Sequence, residues 1–439
     1  MPVPASDTLR LRLKARLARL VDALIDDPHP PQTLEQIEAA ALRLREKAGQ
    51  LVAEELTQEA ADSAPAEEGH KQACACGRWA RDKGRRTRTV VTLAAEVRYT
   101  RRYFYCRRCD RGACPVDAAL GVPAGSGYTR AVEQSVARLC ATLPFAPAMR
   151  LLSSLTGVSV SAKHAQRLVV RAGQQADALI RARAARTQAE DFVSPATPRT
   201  LYLEADGVHT PTRAAGGCEW REMKVGVVRE EDAEACYVSH LGDANTFAAR
   251  WAALSLEQGA LTAERLVVLG DGAAWIGKQS GEHFPWATRI LDFYHVCEYL
   301  WAAARAALGE AAGAWVAARK AELLHSRLEQ TLCALSALAA AFPQAAEEAG
   351  AARGYFRNHR QAMDYALYLS LGLRIGSGAA ESACKQVVTQ RLKGAGMRWS
   401  QDGAQRVANL RCLLLSDRWE SFQDFWNRQG RTAPVQALA

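Results

Sequence analysis

The sequence has no run of about 18 apolar residues, the length that a helix needs to cross a bilayer. Its opening stretch, MPVPASDTLRLRLKARLARL, is interrupted by Arg or Lys every few positions, so the continuous apolar segment of a signal peptide is missing as well. A Gly-rich nucleotide-binding loop and a Ser–His–Asp pattern are also absent. These absences argue against a membrane-spanning or secreted chain and predict a cytoplasmic protein.

The composition is that of an ordinary globular protein. The 439 residues are 49% hydrophobic and 23% charged, which is enough for two or more domains with their own cores and argues against disorder. Lys and Arg number 56 against 47 Asp and Glu, a net charge of +9. Such an excess favours a polyanionic partner such as nucleic acid, but many basic proteins bind none, so charge alone decides little.

The chain has twelve cysteines, which in a reducing compartment are more often free thiols or metal ligands than disulfides. Seven are scattered and fit small buried positions. The spacing Cys106-Arg-Arg-Cys109 is typical of tetrahedral zinc sites built from thiolates, and an earlier pair, Cys74 and Cys76, supplies the other two sulfurs. Together with Cys114 these residues form the one cysteine-rich region of the sequence.

The earlier cysteine pair is irregular, because only Ala75 separates Cys74 from Cys76. Three alternatives stay open: Cys74 reaches the metal through a local shift, His70 or Cys114 takes part in its place, or the thiols are buried and bind no zinc. The basic run RDKGRRTRTVV between the two pairs suits phosphate contacts, although an exposed basic face is usually only solvated.

Hydrophobic periodicity divides the chain into segments of different kinds. Helical spacing near the start predicts a helical hairpin that packs or dimerises, with Thr33 and Gln36 forming a capping box. From Thr200 the period becomes that of five strands, with a helix between the third and the fourth, which is typical of an α/β fold. The predicted order is a helical segment 1–64, a zinc-ribbon-like segment 65–125, a helical segment 126–192, an α/β core 193–300, an all-α insertion 301–362, and the rest of the core with C-terminal helices 363–439.

The helical segment 126–192 contains a helix-turn-helix-like pattern. The stretch FAPAMRLLSSLTGVSVSAKHAQRLVVRAG reads as a helix, a turn containing Gly157 and a second helix. The second helix is a candidate recognition helix, which offers Lys163, His164, Gln166 and Arg167 to a DNA groove. Similar turns are common in proteins that bind no DNA, so the pattern has low to moderate specificity.

Three carboxylates stand at positions that suit metal chemistry. Asp206 follows the first predicted strand of the core and Asp271 follows the fourth, at the carboxyl ends where open α/β sheets bind their ligands. Glu381 lies in the first turn of a later helix, on the flank of its apolar stripe. Taken singly, each Asp fits a turn and Glu381 fits a helix dipole. Taken together, the three predict a hard-oxygen site for Mg²⁺.

Four stretches resemble a known family: EADGVH at 204–209, LGDGAAWI at 269–276, DFYHVCEYL at 292–300, and IGSGAAESACKQVVTQRLKGAGMRW at 375–399. They are similar to the ISKra group of bacterial insertion-sequence transposases. The resemblance runs from about residue 65 to residue 420, and the last stretch is its most specific part.

The resemblance implies an RNase H-like core with a DDE triad of Asp206, Asp271 and Glu381, interrupted by the helical insertion. It implies Mg²⁺- or Mn²⁺-dependent cleavage and joining of double-stranded DNA, with the element's terminal inverted repeats and a target as partners and a homo-oligomer assembled on DNA. The basic residues after Glu381 would line the approach to the scissile phosphate, namely Lys385, Arg391, Lys393 and Arg398.

Some points stay open under the resemblance. The family usually carries a CxxCG spacing where this chain has Cys74-Ala-Cys76-Gly77, and Ala73 stands at the expected cysteine. Asp292 and His295 resemble a supporting signature of related transposases, but a simple Asp–His hydrogen bond fits equally well. The alternatives for function are a structure-selective nuclease on the same core and a domesticated DNA-binding protein without catalysis.

Overall fold

The protein was analysed as a computed structural model, which describes residues 7–63, 71–74, 76–123, 125–189, 191–194, 196–231 and 233–432. The chain forms two compact units, Met1–Ala172 with Glu420–Ala439, and Gly173–Trp419. The predicted core segment ran to residue 439, whereas the last helix belongs to the first unit. None of the helices in the described ranges is long and apolar enough to span a membrane.

The first unit combines helices with a four-stranded antiparallel sheet of order β1-β2-β3-β4. The predicted capping box is confirmed: Thr33 and Gln36 cap each other at the start of α2, with 3.3 Å between backbone nitrogen and side-chain oxygen in both directions. In the C-terminal helix, Asn427 accepts a hydrogen bond from Gln134 (3.0 Å), which explains why this helix packs with the first unit. The elements are α1 (Asp7–Ile25), α2 (Leu34–Asp62), β1 (Lys71–Ala73), β2 (Trp79–Val91), β3 (Glu96–Cys106), β4 (Arg111–Ala113), α3 (Pro115–Ala119), α4 (Arg130–Thr142), α5 (Phe145–Thr156), α6 (Ala162–Thr187), which runs on into the second unit, and α17 (Trp419–Thr432).

The second unit is built on a mixed five-stranded sheet of order β7-β6-β5-β8-β9. β5, β6 and β7 are antiparallel neighbours, while β8 runs parallel to both β5 and β9. The five strands and the helix between the third and fourth are therefore confirmed. The strands are β5 (Thr200–Ala214), β6 (Gly217–Glu230), β7 (Cys236–Leu241), β8 (Arg265–Gly270) and β9 (Thr288–Leu291).

Helices cover both faces of this sheet. On one face, Trp251 and Phe247 of α7 pack with Leu201 and Leu203 of β5. On the other face, Tyr202 of β5 packs with the helical block that was predicted as an insertion. The helices are α7 (Ala244–Glu257), α8 (Ala274–His283), α9 (Phe293–Leu308), α10 (Ala312–Leu324), α11 (Leu328–Ala341), α12 (Ala346–His359), α13 (Tyr365–Ser370), α14 (Gly378–Ala383), a π-helical segment (Cys384–Thr389), α15 (Gln390–Leu392) and α16 (Gln401–Leu415).

One predicted boundary is wrong. The first strand was expected to end at Gly207, but β5 continues to Ala214 because it forms a long hairpin with β6, in which Gly207 pairs with Lys224. A Cβ at Gly207 would collide with the carboxylate of Glu222, so the Glu222 side chain uses the space that the glycine leaves open. Asp206 consequently lies inside a strand.

Candidate functional site

Four cysteines meet at one end of the four-stranded sheet. The Sγ atoms of Cys74, Cys76, Cys106 and Cys109 all lie within 4.8 Å of one another. The separation is 3.7 Å for Cys74 and Cys109, and 3.7 Å for Cys76 and Cys106. A tetrahedral zinc with Zn–S bonds of about 2.3 Å places its sulfurs about 3.8 Å apart, so this group has the dimensions of a Cys₄ zinc centre.

A tight turn brings the irregular pair into place. The backbone N–H of Cys74 donates to the carbonyl of Arg78 (2.8 Å), and the N–H of Gly77 donates to the carbonyl of Cys74 (2.9 Å). Gly77 has φ of +78°, a left-handed conformation that glycine adopts without strain. Cys114 lies outside the group, at the start of α3, and His70 falls outside the described residues. The local shift of Cys74 is thus the alternative that the structure supports.

The thiols lie close enough to share protons. Contact with the Cys109 thiol, followed by a backbone hydrogen bond from Arg78, lowers the pKa of Cys76 to about 6, and the same contact raises the pKa of Cys109. A thiolate is the form that binds metal. The four cysteines can therefore hold a metal such as zinc.

A second site lies on the mixed sheet, where Asp206 and Asp271 stand side by side. The parallel register pairs Glu204 of β5 with Leu269 of β8. Carrying that register two residues further places Asp206 beside Asp271, which directly follows the end of β8. The strand order makes β5 and β8 neighbours, which is the arrangement that the predicted meeting of the two aspartates requires.

Asp206 is half-buried in a negatively charged environment. Burial raises the pKa of Asp206, and the charges of Asp271 and Glu222 raise it further. Two hydrogen bonds act in the opposite direction, one from the N–H of Gly207 (2.6 Å) and one from the thiol of Cys384. A divalent cation would relieve the repulsion between the carboxylates.

Glu381 is carried by a helix that packs on β5 and β6. The predicted apolar stripe is confirmed, since Ala380, Ala383, Cys384, Val387 and Val388 are all buried. The Glu381 side chain is 68% exposed and pairs with Lys385 at 2.7 Å. Within the described residues only the cysteine group gathers three or more possible ligand atoms within 4.8 Å, so Glu381 does not join the two aspartates in this arrangement.

The profile of the Uncharacterised protein family (UPF0236) matches residues 32–418. The chain belongs to this family. One curated relative, the "UPF0236 protein in vanSb 3'region" of Streptococcus gallolyticus, is 23% identical over 338 residues, which cover 74% of this chain and 72% of the relative. The family match spans both the cysteine group and the carboxylates without assigning either a chemistry.

Two acids hold the Glu381 helix of this UPF0236 protein, and sequence reasoning passed over one of them, Glu204. Glu204 is 1% exposed, accepts a hydrogen bond from the N–H of Ala380 (3.1 Å) and lies 3.8 Å from Arg229, and burial raises its pKa to about 7. Asp292 accepts a hydrogen bond from the N–H of Ser377 (2.9 Å). A Glu in an otherwise apolar strand was the available signal, because such a residue needs a buried partner.

Asp292 also resolves the two interpretations of the Asp292–His295 pair. Its carboxylate caps α9 by accepting from the backbone N–H groups of Tyr294 (2.6 Å) and His295 (3.2 Å). The ring of His295 contacts Glu298 instead, at 3.0 Å. No Asp–His side-chain bond is formed between them, and the Asp292 carboxylate fixes the start of α9.

The helical block reaches the carboxylate site through α12. The hydroxyl of Tyr355 donates to the backbone carbonyl of Asp271. His359 lies beside the same residue: burial lowers the pKa of its ring, and the charge of Asp271 partly offsets that effect. Gly272, with φ of +81°, leaves room for His359, whose Nε2 would lie 3.0 Å from a Cβ at that position. The insertion therefore supports the Asp271 turn.

The predicted DNA-contacting residues fall into two groups. Lys163, Arg167, Lys393 and Arg398 are exposed, and the Lys385 side chain is 66% exposed although it pairs with Glu381. Arg391 differs from its predicted role, because it is 1% exposed and its guanidinium lies 5.0 Å from the ring centre of Trp399. A buried guanidinium stacked on an indole stabilises the fold rather than contacting a phosphate.

Proposed function

We propose that this UPF0236 chain is a DNA transposase, which binds the terminal inverted repeats of an insertion sequence and cuts and joins DNA strands with Mg²⁺ or Mn²⁺. The observation that carries the proposal is the parallel pairing of β5 with β8, whose register brings Asp206, inside β5, level with Asp271, just after the end of β8. The helix that carries Glu381 packs on the same sheet, and the ISKra-like motifs include all three residues.

The fold of the second unit supports this proposal. A mixed sheet with three antiparallel strands followed by two parallel ones is compatible with the RNase H-like core that the resemblance implies. The helical block of α10 to α12 falls between Asp271 and Glu381 along the chain, as expected for an inserted domain. The topology of the sheet thus supports the fold that the proposal requires, whereas the proposed activity rests on the carboxylates.

The carboxylates are the donor type that Mg²⁺ prefers. Asp206 and Asp271 would hold the ion first. Glu381 would become the third carboxylate ligand after its ion pair with Lys385 opens. When bound, divalent cations supply activation of a water or a 3′-hydroxyl and stabilise the leaving oxygen of the phosphodiester. The anchoring of α14 by Glu204 and Asp292 would keep Glu381 within reach.

The first unit supplies features suited to holding DNA. Helix α6 has one buried apolar side and one exposed basic side, as a recognition helix requires. Ala165, Leu168 and Val169 are buried, whereas Lys163 and Arg167 are exposed. The turn before α6 contains Gly157 with φ of +76°, as the helix-turn-helix-like pattern predicts. Within the proposal, this helix and the zinc centre bind the terminal repeats.

Incubating the full chain with DNA that carries its own flanking repeats, followed by sequencing of product ends, tests the proposal. A transposase produces Mg²⁺-dependent cuts at the repeat ends and covalent joining to a target. Cuts without joined products would instead indicate a structure-selective nuclease. Binding of the repeats with neither reaction would indicate a DNA-binding protein without catalysis.

A further inference from the structure

At its cysteine end the four-stranded sheet of the first unit has one buried and one open face, whereas at its other end Val97 and Tyr99, on the same face as Tyr103 and Tyr105, are buried. Ala80, Phe104 and Cys106 are buried on the face that carries the cysteine group. Because neighbouring residues in a strand point to opposite faces, Trp79 and Arg81 lie on the other face. Trp79 is 61% exposed, which is unusual for the largest apolar side chain.

The open face continues across β3 with two tyrosines. The register pairs Arg81 with Tyr105, and Tyr103 lies two residues earlier on the same strand and therefore on the same face. Lys71 of β1 pairs with Arg81 on the other side, so two cations and one ring, Lys71, Arg81 and Tyr105, lie in one row across three strands. The Tyr105 hydroxyl donates to Asp110, which fixes the orientation of its ring.

The position of Tyr103 is built into the sheet. A Cβ at Gly112 of β4 would collide with the Tyr103 ring, so the ring lies flat over the backbone of that strand. The guanidinium of Arg86 lies over Tyr103, 3.5 Å from the ring centre. A planar cation stacked on a fixed ring offers a flat, positively charged surface.

We propose that this open face, defined by Lys71, Trp79, Arg81, Arg86, Tyr103 and Tyr105, binds an unpaired DNA strand. Aromatic rings stack on exposed bases and neighbouring cations contact the backbone phosphates, which is how sequence-tolerant single-strand sites work. A duplex keeps its bases stacked on one another, so it would leave Trp79 without a partner. The charge of the face is complementary to a phosphate backbone and excludes a basic partner.

This binding is separate from the duplex recognition assigned to α6 and to the zinc centre, which lies on the opposite face of the sheet, and it does not require cleavage. Single-strand binding therefore goes beyond the proposed transposase activity. If the protein lacked one of these two properties, the other could still be measured. A transposase that handles separated strands at a cut end would use such a face to hold one of them.

The experiment is fluorescence anisotropy of a labelled dT oligonucleotide of about 12 nucleotides, titrated with the zinc-loaded full chain. Trp79→Ala should weaken binding about 5- to 150-fold, the effect of losing one stacked base. Trp79→Phe should restore most of the affinity because phenylalanine also stacks. Arg81→Gln should reduce the slope of log affinity against log salt by about 0.7, as expected for one lost phosphate contact.

Trp286→Ala is the matched control, because Trp286 is also an exposed tryptophan (54%) and lies in the second unit. It should bind as the wild type does. The proposal is overturned if the wild type does not bind dT, if Trp79→Ala binds normally, or if Trp286→Ala loses as much affinity. The assignment to unpaired DNA would be overturned if a matched duplex bound more tightly than dT and did so without dependence on Trp79. It would also be overturned if an oligo(U) strand bound more tightly than dT.

Discussion

Replacing Glu381 with Gln separates a metal ligand from a residue that merely stabilises a helix. The Glu381 side chain is 68% exposed, and its carboxylate pairs with Lys385, which is 66% exposed and one helical turn away. An exposed pair of this kind contributes about 0.3–0.5 kcal/mol, and a first-turn charge about 0.3–1 kcal/mol. The substitution should therefore cost at most about 1.5 kcal/mol, because no buried contact is lost.

For a unit of this size, each kcal/mol shifts the melting temperature by about 2–4 °C. Glu381→Gln should consequently melt within about 6 °C of the wild type in EDTA and still bind repeat DNA. Its Mg²⁺-dependent cleavage should fall by orders of magnitude, since one charged metal ligand is gone. Gel assays of strand nicking and joining, beside scanning calorimetry, provide both measurements.

Glu282→Gln is the matched control for this variant. Glu282 is also an exposed helical carboxylate, with a lysine partner, Lys278, one turn away at 4.0 Å. It should show a similar small change in melting and full cleavage activity. The reasoning is refuted if Glu381→Gln cuts DNA at the wild-type rate, and a lowered melting point in that active variant would return Glu381 to a helix-stabilising role.

Three further predictions concern the zinc centre and two acids. Native mass spectrometry should find one zinc per chain, lost in the Cys106→Ser, Cys109→Ser double variant; a well-folded wild type without metal would contradict this. Asp117→Asn should lose about 1.5–3 kcal/mol of stability in urea at pH 7, because the half-buried Asp117 carboxylate accepts hydrogen bonds from Arg101 (2.9 Å) and Tyr99 (2.6 Å). Desolvation raises the pKa of Asp117, but its hydrogen-bond and charge partners lower it more, so its pKa in the folded protein is below the ordinary value. The stabilisation is therefore present above the unfolded pKa of about 4 and disappears as the pH falls below it. A difference in stability that did not depend on pH would refute the assignment. Glu204→Ala should speed hydrogen exchange in α14, and unchanged exchange would show that Glu204 does not anchor this helix.

The strand pattern of the second unit could be predicted because its buried strands are short apolar runs between turn residues. The parallel pairing of β5 with β8 placed Asp206 beside Asp271, as the pattern suggested. The extension of β5 to Ala214 could not be predicted, since its residues alternate poorly and their pairing depends on β6. Tertiary pairing, rather than local propensity, sets the end of this strand.

The burial of Arg391 could have been found. It follows Val387 by four residues and Val388 by three, so it continues the apolar stripe of the helix. A charged side chain on that stripe is buried only when it has a partner. The partner of Arg391 is the ring of Trp399, which lies eight positions later in the sequence. The loop that brings Trp399 there is not encoded in helical periodicity.

The zinc-like geometry was only partly predictable. The pair Cys106 and Cys109 has regular spacing, but Cys74 and Cys76 do not. Their sulfurs converge because Gly77 adopts a left-handed conformation that reverses the chain within a few residues. The CxxC spacing rule assumes one standard turn between the two cysteines. A different turn, such as the one at Gly77, can place the sulfurs in the same tetrahedral arrangement.

The central claim is that Asp206 and Asp271 hold the metal that cuts DNA. The most direct test is Mg²⁺-dependent nicking of repeat-containing duplex by the wild type, Asp206→Asn and Asp271→Asn, with binding of the same duplex measured in parallel. The account predicts that both variants bind the duplex within several-fold of the wild type and do not nick it, because the basic surfaces are unchanged while a metal ligand is lost. Undiminished nicking by either variant would contradict the account.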